Sequence, residues 1–244
     1  MSAFAILAPS RLARLIGADA RNVGRDPMLI MATVMSLIPS IGLWLGRSAI
    51  DETALHAVGV AAFSSYAVPV ALLLPAFMVG WVSGFLFLED RDDGPLMAIE
   101  VTPIGKLGFM VYRVAATALI TAAITVLAAQ LLMPDGDLWI KALILLLVPT
   151  NAVLGALVLP AVARNKVEGM AVAKLINLAA VAPLLAILPS PFRLIGGIVP
   201  TYWLGEWLNL SRTAILPTGV SIVLGILVHV AAIIVIVRLN RRAG

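Results

Sequence analysis

The sequence predicts an all-α, polytopic membrane protein, and three observations lead to that prediction. Of the 244 residues, 61% are hydrophobic and only 12% are charged, whereas about 25% of residues in soluble domains are charged. The mean hydropathy is +1.06. Apolar runs of about 20 residues recur, and each is long enough as a helix to cross a hydrocarbon core of about 30 Å. We therefore expect residues 1–244 to form a single transmembrane domain.

Residues 1–26 are expected to form a helix that lies in the membrane interface. Leu12, Leu15 and Ile16 share one helical face, and arginines lie beside them. Such a helix places its apolar face in the bilayer and its arginines against anionic headgroups. A disordered basic tail is the alternative interpretation. The apolar stretch at 4–8 is too short for a cleavable signal peptide, so the first span should act as an uncleaved signal.

Six spans are predicted, and turn-forming and charged residues set their limits. Asp51 and Glu52 mark a polar loop after the first span, and residues 57–65 approach the membrane edge before the second. Pro69 and Pro75 should kink the second span. The six predicted spans are residues 27–46, 66–88, 108–133, 138–163, 170–188 and 217–239.

Residues 190–214 are apolar but too interrupted for a full span. Tyr202, Trp203 and Trp207 cluster there, and aromatic residues are typical of the membrane–water interface. We expect two short helices that dip into the outer leaflet, as an extracytoplasmic re-entrant hairpin between the fifth and sixth spans. The interrupting residues are Gly196, Gly197, Pro200, Glu206 and Arg212.

The distribution of basic residues predicts the orientation. Six spans with a cytoplasmic N-terminus place four of the seventeen Lys and Arg outside, which leaves thirteen in cytoplasmic segments. This is a strong positive-inside bias. Splitting residues 55–88 into two spans would place residues 91–113 outside and remove the bias. Both termini and the loop at 89–106 are therefore expected in the cytoplasm. The four outside residues are Arg47, Lys141, Arg193 and Arg212.

The loop at 89–106 contains two successive helix-start signals. Proline suits the first position of a helix, which makes Gly94-Pro95 one signal. Thr102-Pro103 is the second, with Thr102 as a candidate N-cap. The segment at 95–101 is thus predicted to form a helix of about two turns. A merely solvated acidic loop is the alternative, but the repeated signal favours a shaped docking element.

Sequence motifs for enzymatic chemistry are missing. The chain has neither a Gly-x-x-x-x-Gly-Lys-Ser/Thr phosphate loop nor a His-Glu-x-x-His motif. It has no cysteine and two histidines, so we expect no metal site; for Glu89, Asp92 and Asp93, a solvated charged loop is the commoner explanation. The net charge of +4 follows the membrane topology and does not indicate nucleic-acid binding. We expect no enzymatic activity and no cofactor bound by this chain.

A few polar residues inside the predicted spans are candidates for a substrate pathway. Amides and imidazoles that face lipid are costly, so these residues should face the bundle or a pathway. His229 could line a pathway or serve as a hydrogen-bond partner between helices. No acidic residue lies at mid-membrane, which argues against ion-driven transport. The candidate pathway residues are Gln130, Asn151, Asn177 and His229.

Two small-residue patterns predict close helix packing. Gly42-x-x-x-Gly46 lies in the first predicted span and Gly80-x-x-x-Gly84 in the second. Such faces let two helix backbones approach. Because glycine is common in membrane helices, neither pattern by itself indicates a dimer.

Residues 89–113 resemble the loop after the second span in membrane subunits of ABC-2 type exporters. In that family the loop reads Glu, charged residues, Gly-Thr, Leu, a short apolar helix, Thr-Pro and a basic residue. Residues 165–169 with Lys174, and Pro200-Thr-Tyr-Trp203, add to the resemblance, which covers essentially the whole chain. Pro95 stands where the family has Thr. The matching positions are Glu89, Arg91, Asp92, Gly94, Leu96, Thr102, Pro103 and Arg113.

The resemblance implies the permease subunit of an ATP-driven exporter in a bacterial cytoplasmic membrane. A separate ATP-binding cassette subunit would bind ATP and Mg, and the helix at 95–101 would couple to it, with residues 1–26 as a connecting helix. A second permease, identical or paralogous, would complete the transporter within membrane lipid. The apolar interior favours a hydrophobic or amphipathic cargo. The coupling residues implied are Glu89, Arg91, Asp92, Gly94, Pro95, Leu96, Ile99, Thr102 and Pro103.

A non-transporting membrane scaffold that docks a cytoplasmic partner is the alternative. It would keep the docking helix but would need no substrate pathway. An adjacent reading frame that encodes a phosphate-loop ATPase would favour the exporter. A membrane-embedded enzyme ranks third, because the sequence shows no convergent catalytic set.

Overall fold

The computed structural model describes residues 17, 21, 35–92, 105–189, 191–209 and 215–243. Helices are the regular secondary structure in these residues, which confirms the predicted all-α class. Two 3₁₀ helices, Leu178–Ile187 and Pro191–Ile198, lie between the fifth and sixth α-helices. The α-helices are α1 Ile38–Val58, α2 Phe63–Asp92, α3 Gly105–Leu132, α4 Leu138–Val162, α5 Lys166–Asn177, α6 Tyr202–Leu208 and α7 Thr218–Ala243.

Five helical segments of the described residues are long and apolar enough to cross a membrane. They correspond to the second to sixth predicted spans, and their limits lie within four residues of the predicted ones. This confirms a polytopic membrane protein. The count of six stays a prediction, because part of the first predicted span and nearly all of residues 1–26 lie outside the described residues. The five segments are Phe63–Arg91, Leu107–Leu132, Leu138–Val162, Lys166–Ile187 and Thr218–Asn240.

The polar loop predicted after the first span is wrong. Helix α1 does not stop at Gly46 but continues to Val58, so Asp51 and Glu52 are helical and do not form a polar loop. The predicted approach at 57–65 is also wrong as a separate segment. Helix α1 ends at Val58, its C-cap Gly59 has a φ of 69° in the left-handed region, and α2 begins at Phe63.

Partners from neighbouring helices allow α1 to continue through these charged residues. The Arg47 Nη2 donates to the Leu132 carbonyl, at 2.9 Å, where α3 ends. The Asp51 carboxylate accepts from the backbone N–H of Ser64 at 2.7 Å and from its hydroxyl at 2.8 Å. Since Ser64 lies in the first turn of α2, Asp51 satisfies a helix-start N–H that has no partner within its own helix. Both charges thus stabilise the termini of neighbouring helices.

Close contact between α2 and α4 forms the centre of the bundle. A Cβ added at Gly80 would lie 2.5 Å from the Ala152 carbonyl oxygen, and one added at Gly84 would lie 2.7 Å from the Leu159 side chain. The Gly80-x-x-x-Gly84 pattern therefore packs within the chain, as small-residue faces do between membrane helices. In contrast, a Cβ at Gly42 would meet no described atom within 4 Å.

The fifth predicted span is not a continuous α-helix. The predicted fifth span begins as α-helix at Lys166 and changes to 3₁₀ helix at Leu178, with Pro183 inside the 3₁₀ part. Residues 191–208 then form two short helices, as expected for the region at 190–214. That this hairpin dips into the outer leaflet stays a prediction.

Replacing Gly80 with valine should destabilise the bundle, whereas the same change at Gly42 should not. The new side chain at position 80 collides with backbone of α4, and overpacking of this kind costs about 1–3 kcal/mol. Thermal unfolding of the purified chain in detergent is the measurement. Because both substitutions place valine inside a helix, equal melting temperatures for the two variants would contradict the packing described here.

Candidate functional site

Arg91, at the end of α2, binds the end of α4. Its Nη2 donates to the carbonyl oxygens of Ala163 at 3.0 Å and Arg164 at 2.8 Å, and its Nη1 lies 3.3 Å from the Pro160 carbonyl oxygen. The last carbonyls of a helix have no partner within that helix. One guanidinium therefore joins the base of the loop at 89–106 to the loop that follows α4.

Asp90, next to Arg91 at the end of α2, joins this helix to α3. Its carboxylate lies 2.6 Å from Nη2 of Arg113, a residue that is 7% exposed. The Arg113 guanidinium also lies 4.8 Å from the ring centroid of Phe109 and 5.5 Å from that of Phe87. Cation–π attraction strengthens when the cation is desolvated. Helix α3 is thus joined to the end of α2 by a largely buried ion pair, whose guanidinium lies against two aromatic rings.

The loop between α4 and α5 is ordered by its own side chains. The Asn165 side chain accepts from the backbone N–H of Glu168 at 2.9 Å, and Glu168 accepts from the backbone N–H of Arg164 at 2.8 Å. This arrangement is related to a capping box, but Glu168 binds the N–H of the residue before the N-cap and not that of the N-cap itself. Lys166 also pairs with Glu89 at 3.1 Å, but both side chains are about half exposed, so this pair contributes little stability.

We name Glu89, Asp90, Arg91, Arg113 and Lys166 the basal cluster. It joins the ends of α2 and α4 to α3 and to the first residue of α5 at one end of the bundle, the end that the positive-inside bias predicts to be cytoplasmic. Two predicted coupling residues, Glu89 and Arg91, belong to it. Asp92 is the last residue of α2. The other predicted coupling residues lie outside the described residues: Gly94, Pro95, Leu96, Ile99, Thr102 and Pro103.

Asn151 of α4 and His229 of α7 form a buried polar pair. Asn151 is 4% exposed and His229 is 3% exposed. The His229 Nδ1 lies 2.7 Å from the Gly225 carbonyl oxygen, which can only accept, so Nδ1 carries the proton. The Nε2 then accepts from the Asn151 amide at 3.1 Å, while the same amide nitrogen donates to Leu147 at 2.9 Å. His229 is thus a hydrogen-bond partner between helices.

The other two candidate pathway residues lie apart from this pair. Gln130 is exposed and lines a groove between α3 and α4. Asn177 is half-buried at the end of α5, where the 3₁₀ helix begins. Whether any of the four residues contacts a substrate stays a prediction.

Sequence reasoning missed a buried ion pair between Arg193 and Glu206. The Arg193 Nε lies 2.7 Å from the carboxylate, and the two side chains are 0% and 2% exposed. The Arg193 Nη1 also donates to the carbonyls of Ala186 at 2.9 Å and Leu188 at 2.8 Å, and the Tyr202 hydroxyl donates to Glu206. No periodicity links two residues thirteen positions apart. The available signal was their opposite charge in an apolar segment, because buried charges need partners.

Tyr202 and Trp207 hold the α6 part of the hairpin in place. Burial raises the pKa of the Tyr202 phenol, and the adjacent Glu206 carboxylate raises it further, so the hydroxyl stays a donor. Trp207 donates from Nε1 to the Ser221 carbonyl at 3.1 Å. A Cβ added at Gly225 would lie 2.6 Å from the Trp207 ring. The hairpin therefore rests on α7, one turn from His229.

Substituting Glu206 with glutamine should strongly destabilise the protein. The Arg193 guanidinium would stay buried without its counter-ion, and breaking a buried pair from one side costs about 3–5 kcal/mol. Thermal unfolding in detergent reports this loss. Glu89→Gln, which breaks the half-exposed pair with Lys166, is the matched control and should cost less than about 1 kcal/mol. If E206Q unfolds at the wild-type temperature, the ion pair does not hold the hairpin.

Comparisons with known proteins agree with this architecture. A family model described as "Fluoroquinolones export permease protein Rv2686c-like" matches residues 19–237. Two relatives from Mycobacterium tuberculosis, the fluoroquinolones export permease proteins MT2760 (strain CDC 1551 / Oshkosh) and Rv2686c (strain ATCC 25618 / H37Rv), are each 30% identical over 210 residues, or 80% of both chains. No solved structure matches. The chain therefore belongs to the Rv2686c-like family of export permeases, which are multipass membrane proteins.

Proposed function

We propose that this chain is the transmembrane subunit of an ABC-2 type exporter, powered by a separate ATP-binding subunit that holds ATP and Mg. The observation that carries the proposal is the match of an export-permease family model over residues 19–237. The resemblance of residues 89–113 to the coupling loop of ABC-2 subunits supports the ATP-driven type.

The basal cluster would transmit movement from the ATP-binding subunit. A partner that pushes on residues 93–104 acts on α2 and α3, which flank this segment and are joined by Asp90 and Arg113. Arg91 passes the displacement to α4 through the carbonyls of Ala163 and Arg164. Because charge-assisted hydrogen bonds are about twice as strong as neutral ones, these contacts would keep the three helix ends together as they move.

The relatives suggest a first substrate to test. Both are named fluoroquinolones export permeases, so we propose that this chain also exports drugs of that class. An amphipathic aromatic compound agrees with a bundle whose interior is mostly apolar. The direction of transport would be outward across the cytoplasmic membrane, with both termini of the chain in the cytoplasm.

A second permease copy or a paralogue would complete the transporter. In the most apolar 18-residue stretch of α7, only 17% is buried within the described structure. The corresponding share for the segment from Lys166 to Ile187 is 22%. Within the described residues these faces are uncovered, and membrane lipid or another permease would contact them. A non-transporting scaffold, the alternative function, would use the same faces but would not move a drug.

Arg91→Ala should reduce export while the chain stays in the membrane. Three carbonyl contacts would be lost, and each hydrogen bond to a charged group contributes about 1.5–3 kcal/mol, so we expect export to slow by at least about tenfold. The measurement is accumulation of a fluorescent fluoroquinolone in cells that co-express this chain with its ATP-binding subunit, sought first in the adjacent reading frame.

Two controls make this result decisive. Lys174→Ala changes an exposed cation outside the basal cluster and should export at the wild-type rate. An ATP-binding subunit without its phosphate-loop lysine should abolish export by the wild-type chain. Wild-type rates from R91A would contradict the coupling role, and no export by the wild-type pair, with the ATP-binding subunit bound, would favour the scaffold.

A further inference from the structure

A groove lies between α3 and α4 near the turn that joins them. It has a volume of about 230 Å³. The small residues Ala129 and Ala142 and the larger Leu138 and Leu145 are among the residues that line it. Leu138 is 84% exposed and Leu145 is 41% exposed, so the groove opens on the outside of the described bundle. In a membrane-spanning chain this surface faces lipid.

Two polar residues of the groove lie near the turn, whereas a third, Thr125, lies further along α3 and donates its hydroxyl to the Thr121 carbonyl. Gln130 lines it from α3, and Lys141 lines it from the first turn of α4. The Lys141 ammonium donates one hydrogen bond, to the Pro134 carbonyl at 2.8 Å. An ammonium group has three donors, so two remain for a ligand. Within the described residues Lys141 forms no ion pair.

Negative charge also lies in the turn to which Lys141 donates its hydrogen bond. Asp135 and Asp137 are exposed in the turn between α3 and α4, and the Asp137 side chain does not cap α4 although it stands at the cap position. One cation and two carboxylates next to an apolar groove are complementary to an amphiphile whose polar end carries both charges. The cation would bind its anionic group, and the carboxylates would bind its ammonium.

We propose that this groove binds a phospholipid with a zwitterionic, primary-amine headgroup, of the phosphatidylethanolamine type. The acyl chain lies on Ala129 and Ala142, the phosphate accepts hydrogen bonds from Lys141 and Gln130, and the ammonium pairs with the aspartates. Water is excluded as the main occupant because the groove walls are largely apolar and face hydrocarbon. The site goes beyond the export function and requires only that the chain spans the membrane.

The position of Lys141 along α4 agrees with a phospholipid headgroup as its ligand. Lys141 lies three residues after the start of α4, about 5 Å along the helix at 1.5 Å per residue. Lysine near a helix end reaches the interface, where phosphates lie, while its methylene stem stays in apolar surroundings. The positive-inside bias places this end of the bundle in the outer leaflet.

Native mass spectrometry of the full-length chain tests the proposal. The detergent-purified protein is mixed with equal amounts of phosphatidylethanolamine, phosphatidylglycerol and phosphatidylcholine, and the retained lipids are counted. Phosphatidylethanolamine should be retained most, since phosphatidylglycerol has no ammonium and phosphatidylcholine has no N–H to donate. Lys141→Gln should lower its retention about tenfold, in line with the loss of a charged hydrogen bond.

Two further variants separate the headgroup from the acyl chain. The double variant Asp135→Asn, Asp137→Asn should remove the preference for phosphatidylethanolamine over phosphatidylglycerol while total retention persists. Ala142→Leu, at an exposed position, should fill the groove and lower the retention of all three lipids. Lys174→Gln, an exposed lysine outside the groove, should match the wild type. Equal retention of the three lipids by the wild type, or wild-type retention by K141Q and A142L, would overturn the proposal.

Discussion

A bilayer offers no water to a charged or hydrogen-bonding group, and this constraint explains where the polar side chains of the described bundle lie. Asn151 and His229 use each other and helix carbonyls as partners. Arg193 binds Glu206 and two carbonyls where the first 3₁₀ helix ends. Arg47 and Arg91 likewise bind the free carbonyls at the ends of α3 and α4. Helix ends, which expose unpaired carbonyls, thus serve as the common acceptors for arginine.

Composition and periodicity were enough to predict the fold class and most span limits, because both depend on how much apolar sequence crosses the hydrocarbon. The same reasoning failed at Asp51. Two acidic residues looked like a loop, yet Asp51 is helical since Ser64 of the next helix binds its carboxylate. Local sequence does not reveal such a partner, because it comes from another element.

In the candidate site, too, residues could be selected from the sequence but their partners could not. Glu89 and Arg91 could be selected from the charged loop itself, but their binding to Lys166 and to the end of α4 depends on helix packing. Glu206 seemed only to interrupt an apolar segment, and its pairing with Arg193 needs the hairpin to fold back. The Gly80-x-x-x-Gly84 pattern predicted close approach correctly, but the sequence did not identify α4 as the partner helix. What the sequence lacks in each case is the identity of the neighbour.

The contacts along α4 connect the two ends of the bundle. Its last carbonyls are held by Arg91, and Asn151, near its middle, binds His229 of α7. One turn before His229, α7 carries Gly225, against which Trp207 of the hairpin rests. A displacement of α4 at the basal cluster must therefore either carry α7 and the hairpin with it or break the hydrogen bond between Asn151 and His229. Since both side chains are buried, breaking that bond leaves two polar groups without water, at a cost of about 1–3 kcal/mol each. Concerted movement of the two helices is the less costly of these outcomes, so under the coupling proposed above the Asn151–His229 pair would keep α4 and α7 together.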